Sequence, residues 1–329
     1  MTNPSQLITI TPNPALDQTL EVEGFRQGAV NRVSTSRTDA GGKGINVATL
    51  LGDLGLAPAV TGFLGDKNAE LFEAHFAAHH LADDFVRVPG STRTGIKVVD
   101  SASRETTDIN FPGFSVSPEA LAEFEARLSA RDLSGQWAAF SGSLPQGLPA
   151  DFYRHAIELA RSRGARTLLD TSREPLRHAL AARPEILKPN QAELEDLLGT
   201  RLTSIEEVNA AARELLVDTT LLVVISMGEG GALFVNRKTS LLARPPRVEV
   251  ASTVGAGDAM VAGILWSMLE HHSLTLLARW ATAFAAHAVT RCGAGTSLPE
   301  VQSLVDQVRL SELPVSSPSI LDFATGVRS

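Results

Sequence analysis

Short apolar runs recur along this chain, each stopping at a polar or glycine-rich cluster and each followed by a helical stretch. Leu7-Ile8-Thr9-Ile10-Thr11 is the first. Residues 60–64, Trp137-Ala138-Ala139-Phe140, residues 167–170, Ile186-Leu187 and Leu221-Leu222-Val223-Val224-Ile225 repeat the form. Strands this apolar are expected where helices cover both faces of a parallel sheet. Between them, residues 68–82 predict a helix whose His75, His79 and His80 read as a solvated face. Residues 261–266 predict a buried helix and residues 274–291 a long apolar one. This alternation predicts an α/β fold, a doubly wound and mostly parallel sheet flanked by helices. Two stretches break the pattern. Residues 19–38 alternate and are rich in polar side chains, as a strand pair outside the main sheet would be, and residues 92–99 with 107–111 read as a hairpin. The expected organisation is one α/β domain over residues 1–313, with a small discontinuous β lid from about 19–38 and 92–111. A loosely held tail at 314–329 follows.

The chemistry gathers where the apolar runs end. Asn13, Ser141, Asp170, Lys188 and Ser226 each follow such a run, and ligands of open α/β sheets collect beyond the carboxyl ends of the strands. Pro12 and Pro14 break the first strand, which places Asn13 and Asp17 in the loop beyond it. Two glycine-rich turns each open a helix. In Ser252-Thr253-Val254-Gly255-Ala256-Gly257-Asp258, converging amides at a helix N-terminus make an anion site. There Asp258 reads either as a helix cap or as a general base whose pKa those donors hold low. The other turn, Asp39-Ala40-Gly41-Gly42-Lys43-Gly44-Ile45-Asn46, places Lys43 inside and Asn46 one turn on, as a site for an anion or hydroxyls. Alternation puts Arg93, Gly95 and Lys97 on one strand face, either a phosphate clamp or a charged outer surface. Pro189 disfavours helix at Lys188, and Asn190 with Glu193 has the spacing of a capping box. The turn before Asp258 lacks the Lys-Ser/Thr ending of a P-loop, and Met260 stands where a dinucleotide fingerprint needs its third glycine.

Composition narrows this further. With 329 residues and 43% hydrophobic content the chain can bury a large core. Its 29 Lys and Arg against 37 Asp and Glu give a formal charge of −8, which argues against nonspecific nucleic-acid binding. The single Cys292 excludes an intramolecular disulfide or a multi-cysteine metal site and reads as a buried structural thiol. Met1 to Ser5 shows no signal-peptide pattern and no stretch matches a membrane span, so the expected location is cytoplasmic, with no nucleic-acid or membrane partner.

Gly41-Gly42-Lys43-Gly44-x-Asn46-x-Ala48 together with Thr253-Val254-Gly255-Ala256-Gly257-Asp258 resembles the two signatures of the PfkB/ribokinase family of carbohydrate kinases, in order and over nearly the whole chain. The resemblance implies a ribokinase-like fold, with ATP and Mg²⁺ as cofactors. It implies Asp258 as base, beside an anion hole at Gly255, Ala256 and Gly257. Asn190 and Glu193 would organise Mg²⁺. Lys188, Asn190, Ser226, Gly228, Gly231, Thr253, Gly255 and Gly257 would border the nucleotide. Asp17, Gly42, Lys43, Asn46, Arg93, Lys97, Asn110, Ser141 and Arg173 would hold the sugar and its phosphate. Within the family, Thr92-Arg93-x-x-x-Lys97, Asp108-x-Asn110-Phe111, Asn13-Pro14-Ala15-x-Asp17, Ser141-Gly142-Ser143-Leu144-Pro145 and Asp170-x-Ser172-Arg173 look like the subgroup acting on phosphorylated ketohexoses. Ser252 departs from the Asp of many members, and that subgroup tolerates it. The implied reaction is transfer to the 6-hydroxyl of fructose 1-phosphate, with tagatose 6-phosphate and fructose 6-phosphate as alternative substrates. Other readings are a non-catalytic sugar-phosphate sensor and, disfavoured by its missing fingerprint, a dinucleotide-dependent oxidoreductase. Lids in the family often form dimer interfaces, so a homodimer through the lid is a further expectation.

Overall fold

The computed structural model describes residues 6–103, 105–291 and 295–315. The expectations for Cys292 and for the tail from residue 316 onward lie outside the described residues, as does Met1 to Ser5. The apolar runs form the centre of an eleven-stranded sheet. Its parallel part comprises β1 (Leu7–Thr11), β4 (Ala59–Gly65), β5 (Ala82–Asp83), β6 (Val86–Val88), β9 (Trp137–Ser141), β10 (Arg166–Asp170), β11 (Ile186–Leu187) and β12 (Leu222–Ser226). Three antiparallel strands, β13 (Ala232–Val235), β14 (Ser240–Arg244) and β15 (Arg309–Leu313), extend one edge.

Helices cover both faces, as such apolar strands require. On one face α3 (Pro118–Ala130), α4 (Phe152–Ser162), α5 (Arg173–Ala179), α6 (Gln191–Leu198) and α7 (Ile205–Glu214) pack on Ile8, Ile10, Phe140, Leu169 and Val223. On the other lie α1 (Lys43–Asp53), α8 (Ala256–Leu269), α9 (Leu274–Ala288) and α10 (Leu298–Val305), over Leu7, Trp137, Ala139, Leu168 and Ile186. Helix α2 (Ala69–Ala78) packs Phe72 and Phe76 against Ile45 and Ala48 of α1. Side chains alternate across a strand. Thr9, Thr11, Ser141, Asp170 and Lys188 therefore share the α1/α8 face with Leu7, Ala139, Leu168 and Ile186.

A separate four-stranded sheet stands outside this core, in the order β3 (Val33–Gly41), β2 (Ala15–Val22), β7 (Arg93–Asp100), β8 (Thr106–Asn110). β2 and β3 form a hairpin, β7 and β8 another, and β2 runs parallel to β7. The sequence-based placement of Asp17 in a loop is wrong. The chain turns at Pro12 to Pro14 and at once forms β2, so Asp17 is a strand residue paired with Asp39 and Gly95. The small sheet accordingly begins at Ala15, not Thr19.

His80 is exposed, but His75 of α2 and His79 at its end are not part of a solvated face. His75 Nε2 lies 2.7 Å from Thr49 Oγ1, and His79 Nδ1 lies 2.6 Å from Asp53 Oδ1. Burial, then the neighbouring His79, push the His75 pKa down to about 4. The pair fastens α2 to α1.

Candidate active site

The site is built where α1 and α8 begin, over the carboxyl ends of β9, β10 and β11. Gly255, at φ 82°, turns the chain into α8, a left-handed conformation that glycine adopts without a Cβ penalty. The first intrahelical bond runs from Ala259 N to Gly255 O at 2.8 Å, which leaves the amides of Ala256, Gly257 and Asp258 free of the helix ladder. These donors and the helix dipole create a positive end suited to an anion.

The cap of α8 is Gly255 and Asp258 lies inside the first turn, so Asp258 is not the helix cap. Instead its Oδ2 accepts a 2.7 Å hydrogen bond from Asn46 Nδ2, joining the two glycine-opened helices. Asp258 is 7% exposed. Its pKa is not held low. Burial first, then the like charge of Asp170, raise it to about 6, against smaller opposing effects of Asn46, Lys43 and Lys188. A buried carboxylate with such a pKa is matched to accepting a proton near neutrality.

Beside it lies a cluster of charges. Lys43, the first residue of α1, places Nζ 3.2 Å from Asp170 Oδ1, and Lys188 places Nζ 3.3 Å from the same oxygen. Burial lowers the Lys43 pKa, but Asp170, Glu193 and Asp258 outweigh it and the net shift is upward. Lys188 also approaches the first turn of α8, where a Cβ at Gly257 would stand 3.7 Å from its Nζ. Asp170 Oδ2 and Ser141 Oγ are buried without a hydrogen-bond partner. These residues face the turns at Gly42 and Gly255, so unpaired polar groups converge on one space.

The small sheet presents the second half of the site. In-register residues of paired strands share a face, so Asp17, Gly95 and Asn110 form one row and Arg93 and Lys97 flank it. Lys97 Nζ lies 3.7 Å from Asp17 Oδ1. Arg93 Nη2 reaches Asn13 O at 3.5 Å, while its buried Nε has no partner. Burial lowers the Arg93 pKa, with Asp17 acting in the opposite direction. A half-buried guanidinium with an unused donor is suited to a phosphate. Asn13 Nδ2 donates to Ser143 Oγ at 3.1 Å, tying the β1 and β9 loops together.

Asn190 and Glu193 form a complete capping box: Glu193 N to Asn190 Oδ1 and Asn190 N to Glu193 Oε2, both 2.8 Å. Ser226 is bridged to Asn190. Gly228 and Gly231, at φ 56° and 93°, flank the short turn that follows β12, and Thr253 is exposed just before α8. Arg173 is exposed after β10, with a positive φ of 58°. In the sequence Asp170 is visible as a strand-terminal carboxylate and in the pattern Asp170-x-Ser172-Arg173. Its two lysine partners come from distant segments, and no spacing signals them.

Comparison with known proteins shows the family. The profile described as pfkB family carbohydrate kinase matches residues 12–301. A 1-phosphofructokinase of Rhodobacter capsulatus is 47% identical over 311 residues, covering 94% of this chain and 98% of that protein. One from Escherichia coli K12 is 40% identical over 310 residues, covering 93% and 98%. The crystal structure of phosphofructokinase-2 from Escherichia coli in complex with substrates and products superimposes with a TM-score of 0.87 at 29% identity, over 92% of this chain and 98% of that one. With its two glycine-opened helices facing one charged cleft, this chain belongs to the pfkB family of carbohydrate kinases.

Proposed function

We propose that this ATP-dependent sugar-phosphate kinase transfers the γ-phosphoryl group of ATP to the 6-hydroxyl of fructose 1-phosphate, giving fructose 1,6-bisphosphate and ADP. The observation that carries the reading is Asp258, a buried carboxylate at the free-amide end of α8, bonded to Asn46 of the sugar-side turn. Its carboxylate takes the proton of the attacking hydroxyl as the oxygen–phosphorus bond forms. The amides of Ala256, Gly257 and Asp258 stabilise the charge that gathers on the transferred group. Asp17, Gly42, Asn46, Asn110 and Ser141 hold the sugar. Arg93 and Lys97, with Lys43 and Arg173, take its existing phosphate, and the small sheet serves as a lid over it. Lys188, Ser226, Gly228, Gly231 and Thr253 border the nucleotide.

Among the described residues no group of three or more His, Cys, Asp or Glu side chains could hold a metal. The capping box leaves Glu193 one carboxylate oxygen. Such a sparse, hard donor set fits Mg²⁺, which keeps most of its waters and is bound chiefly through substrate phosphates. Asn190 and Glu193 would hold it by way of waters, and it would neutralise charge on the nucleotide phosphates.

The 40–47% identity to proteins named 1-phosphofructokinase favours fructose 1-phosphate over fructose 6-phosphate and tagatose 6-phosphate. The test is ADP release with MgATP and each of the three in turn. A tenfold kcat/KM preference for fructose 1-phosphate, about 1.4 kcal/mol, is expected. Preference for a 6-phosphate refutes the substrate, and binding without turnover favours a sensor. A cytoplasmic location belongs to the same proposal. No helix among the described residues is long and apolar enough to cross a membrane. So does a homodimer through the lid, where Val30, Val33, Ile109 and Phe111 are exposed; light scattering at monomer mass would refute it.

A further inference from the structure

We propose that Asp170 is a positioning residue for the transfer. One of its carboxylate oxygens fixes both Lys43 and Lys188 and thereby sets the charged surroundings at the start of α8, where Asp258 stands. This inference rests on the reading of Asp258 as the base.

Asp170 ends β10 and is 1% exposed. A carboxylate so buried must be paired, and here one oxygen serves two ammonium groups, at 3.2 and 3.3 Å. The two lysines come from opposite sides of the cleft. Lys43 opens α1 on the sugar side, and its side chain is 38% exposed. Lys188 is 3% exposed and lies against the first turn of α8. A lysine carries four rotatable side-chain bonds and no intrinsic direction. The shared carboxylate supplies that direction to both.

The charges also balance as a set. Asp258 is faced by Lys43 and Asn46 from α1, Asp170 from β10 and Lys188 from the segment after β11, while Glu193 of α6 acts on Lys43. With Asp258 ionised, the two carboxylates Asp170 and Asp258 match the two lysines. With Asp258 protonated, the quartet has a net positive charge. After burial, the charge of Asp170 is the largest influence that keeps the proton on Asp258. Neutralising Asp170 therefore makes Asp258 ionise more readily and releases both lysines from their common anchor.

The experiment compares pH profiles of kcat/KM for ADP release by the full chain and its Asp170→Asn and Asp170→Glu variants, using MgATP and the preferred sugar phosphate. Substrate phosphates titrate in the same range, so the readout is the difference between profiles measured with the same substrates. Asp170→Asn should move the acid limb down by about one unit, and Asp170→Glu should leave it in place. An unmoved limb in Asp170→Asn, or an equal displacement in both variants, overturns the proposal. Should Asp170→Asn not fold, Asp170→Asn/Lys188→Met removes the buried pair as a unit. Asp170 acts on Asp258 more strongly than Lys188 does, so the same downward direction is expected, and no movement overturns the inference. Asp258→Asn separates the two readings. If that variant keeps its kcat, the base assignment fails; if it is inactive while the limb of Asp170→Asn is unmoved, only the role of Asp170 fails.

Discussion

Replacing Asp258 by Asn should disable the enzyme and stabilise the fold, and the two effects share one cause. The folded-state pKa of Asp258 is raised from 3.8 to about 6. A carboxyl group raised in this way contributes stability that is fully present below its unfolded pKa and is lost as pH rises through the folded value. At about 1.4 kcal/mol per unit, a rise of roughly two units makes the ionised group cost the native state about 3 kcal/mol above pH 6. Asparagine carries no such cost, and its amide oxygen can still accept from Asn46. Urea unfolding of both proteins across pH should show a gap that is small near pH 4 and opens to about 3 kcal/mol in favour of the variant by pH 7.5. Meanwhile kcat should fall by about 10²–10⁴. In the wild type about nine-tenths of Asp258 is ionised at pH 7 and about one-tenth at pH 5, so activity should decline near pH 6. A variant less stable than wild type at pH 7.5, or a gap independent of pH, would refute this reasoning, and near-normal kcat would remove the base.

Other substitutions separate the remaining parts of the site. Arg93→Met removes a half-buried cation whose Nε is unpaired; it should raise KM for the sugar phosphate by about 10- to 100-fold with a smaller change in kcat, and an unchanged KM would move the phosphate elsewhere. Gly44→Ala drives a Cβ into Thr11 Oγ1 and against Ile10 O, which should cost about 1–3 kcal/mol; Thr11→Ala should recover part of that loss in a double-mutant cycle, and strict additivity would mean the collision is relieved another way. Glu193→Gln keeps an acceptor for Asn190 N, so thermal unfolding should change little while the Mg²⁺ concentration for half-maximal activity rises. Asn190→Ala should cost about 1 kcal/mol through the lost cap, and equal melting temperatures would contradict the capping box.

The central sheet was legible because its strands are covered on both faces, which leaves runs such as residues 222–225 almost without polar positions. Both glycine turns were legible too, since a backbone that bends into a helix at positive φ needs glycine at Gly42 and Gly255. What escaped depends on contacts between distant segments. The start of β2 was hidden because Pro14 resembles a loop residue, whereas pairing with Gly41 and Arg93 recruits Ala15 into a strand. His75 and His79 look like surface polarity until α1 supplies Thr49 and Asp53. The proton affinity of Asp258 ran opposite to expectation, because burial and Asp170 outweigh the donors around it.

The parallel pairing of β2 with β7 has a kinetic corollary. Ala15 and Arg93 are neighbours in the small sheet, yet β4, α2 and β6 must be traversed between them. Closing so long a loop is entropically costly before any contact rewards it. During synthesis the β2–β3 hairpin therefore emerges early and waits, with its β2 edge unpaired, until β7 is released. Its strands are rich in Ser, Thr and charged residues, which discourages pairing with other chains during that interval.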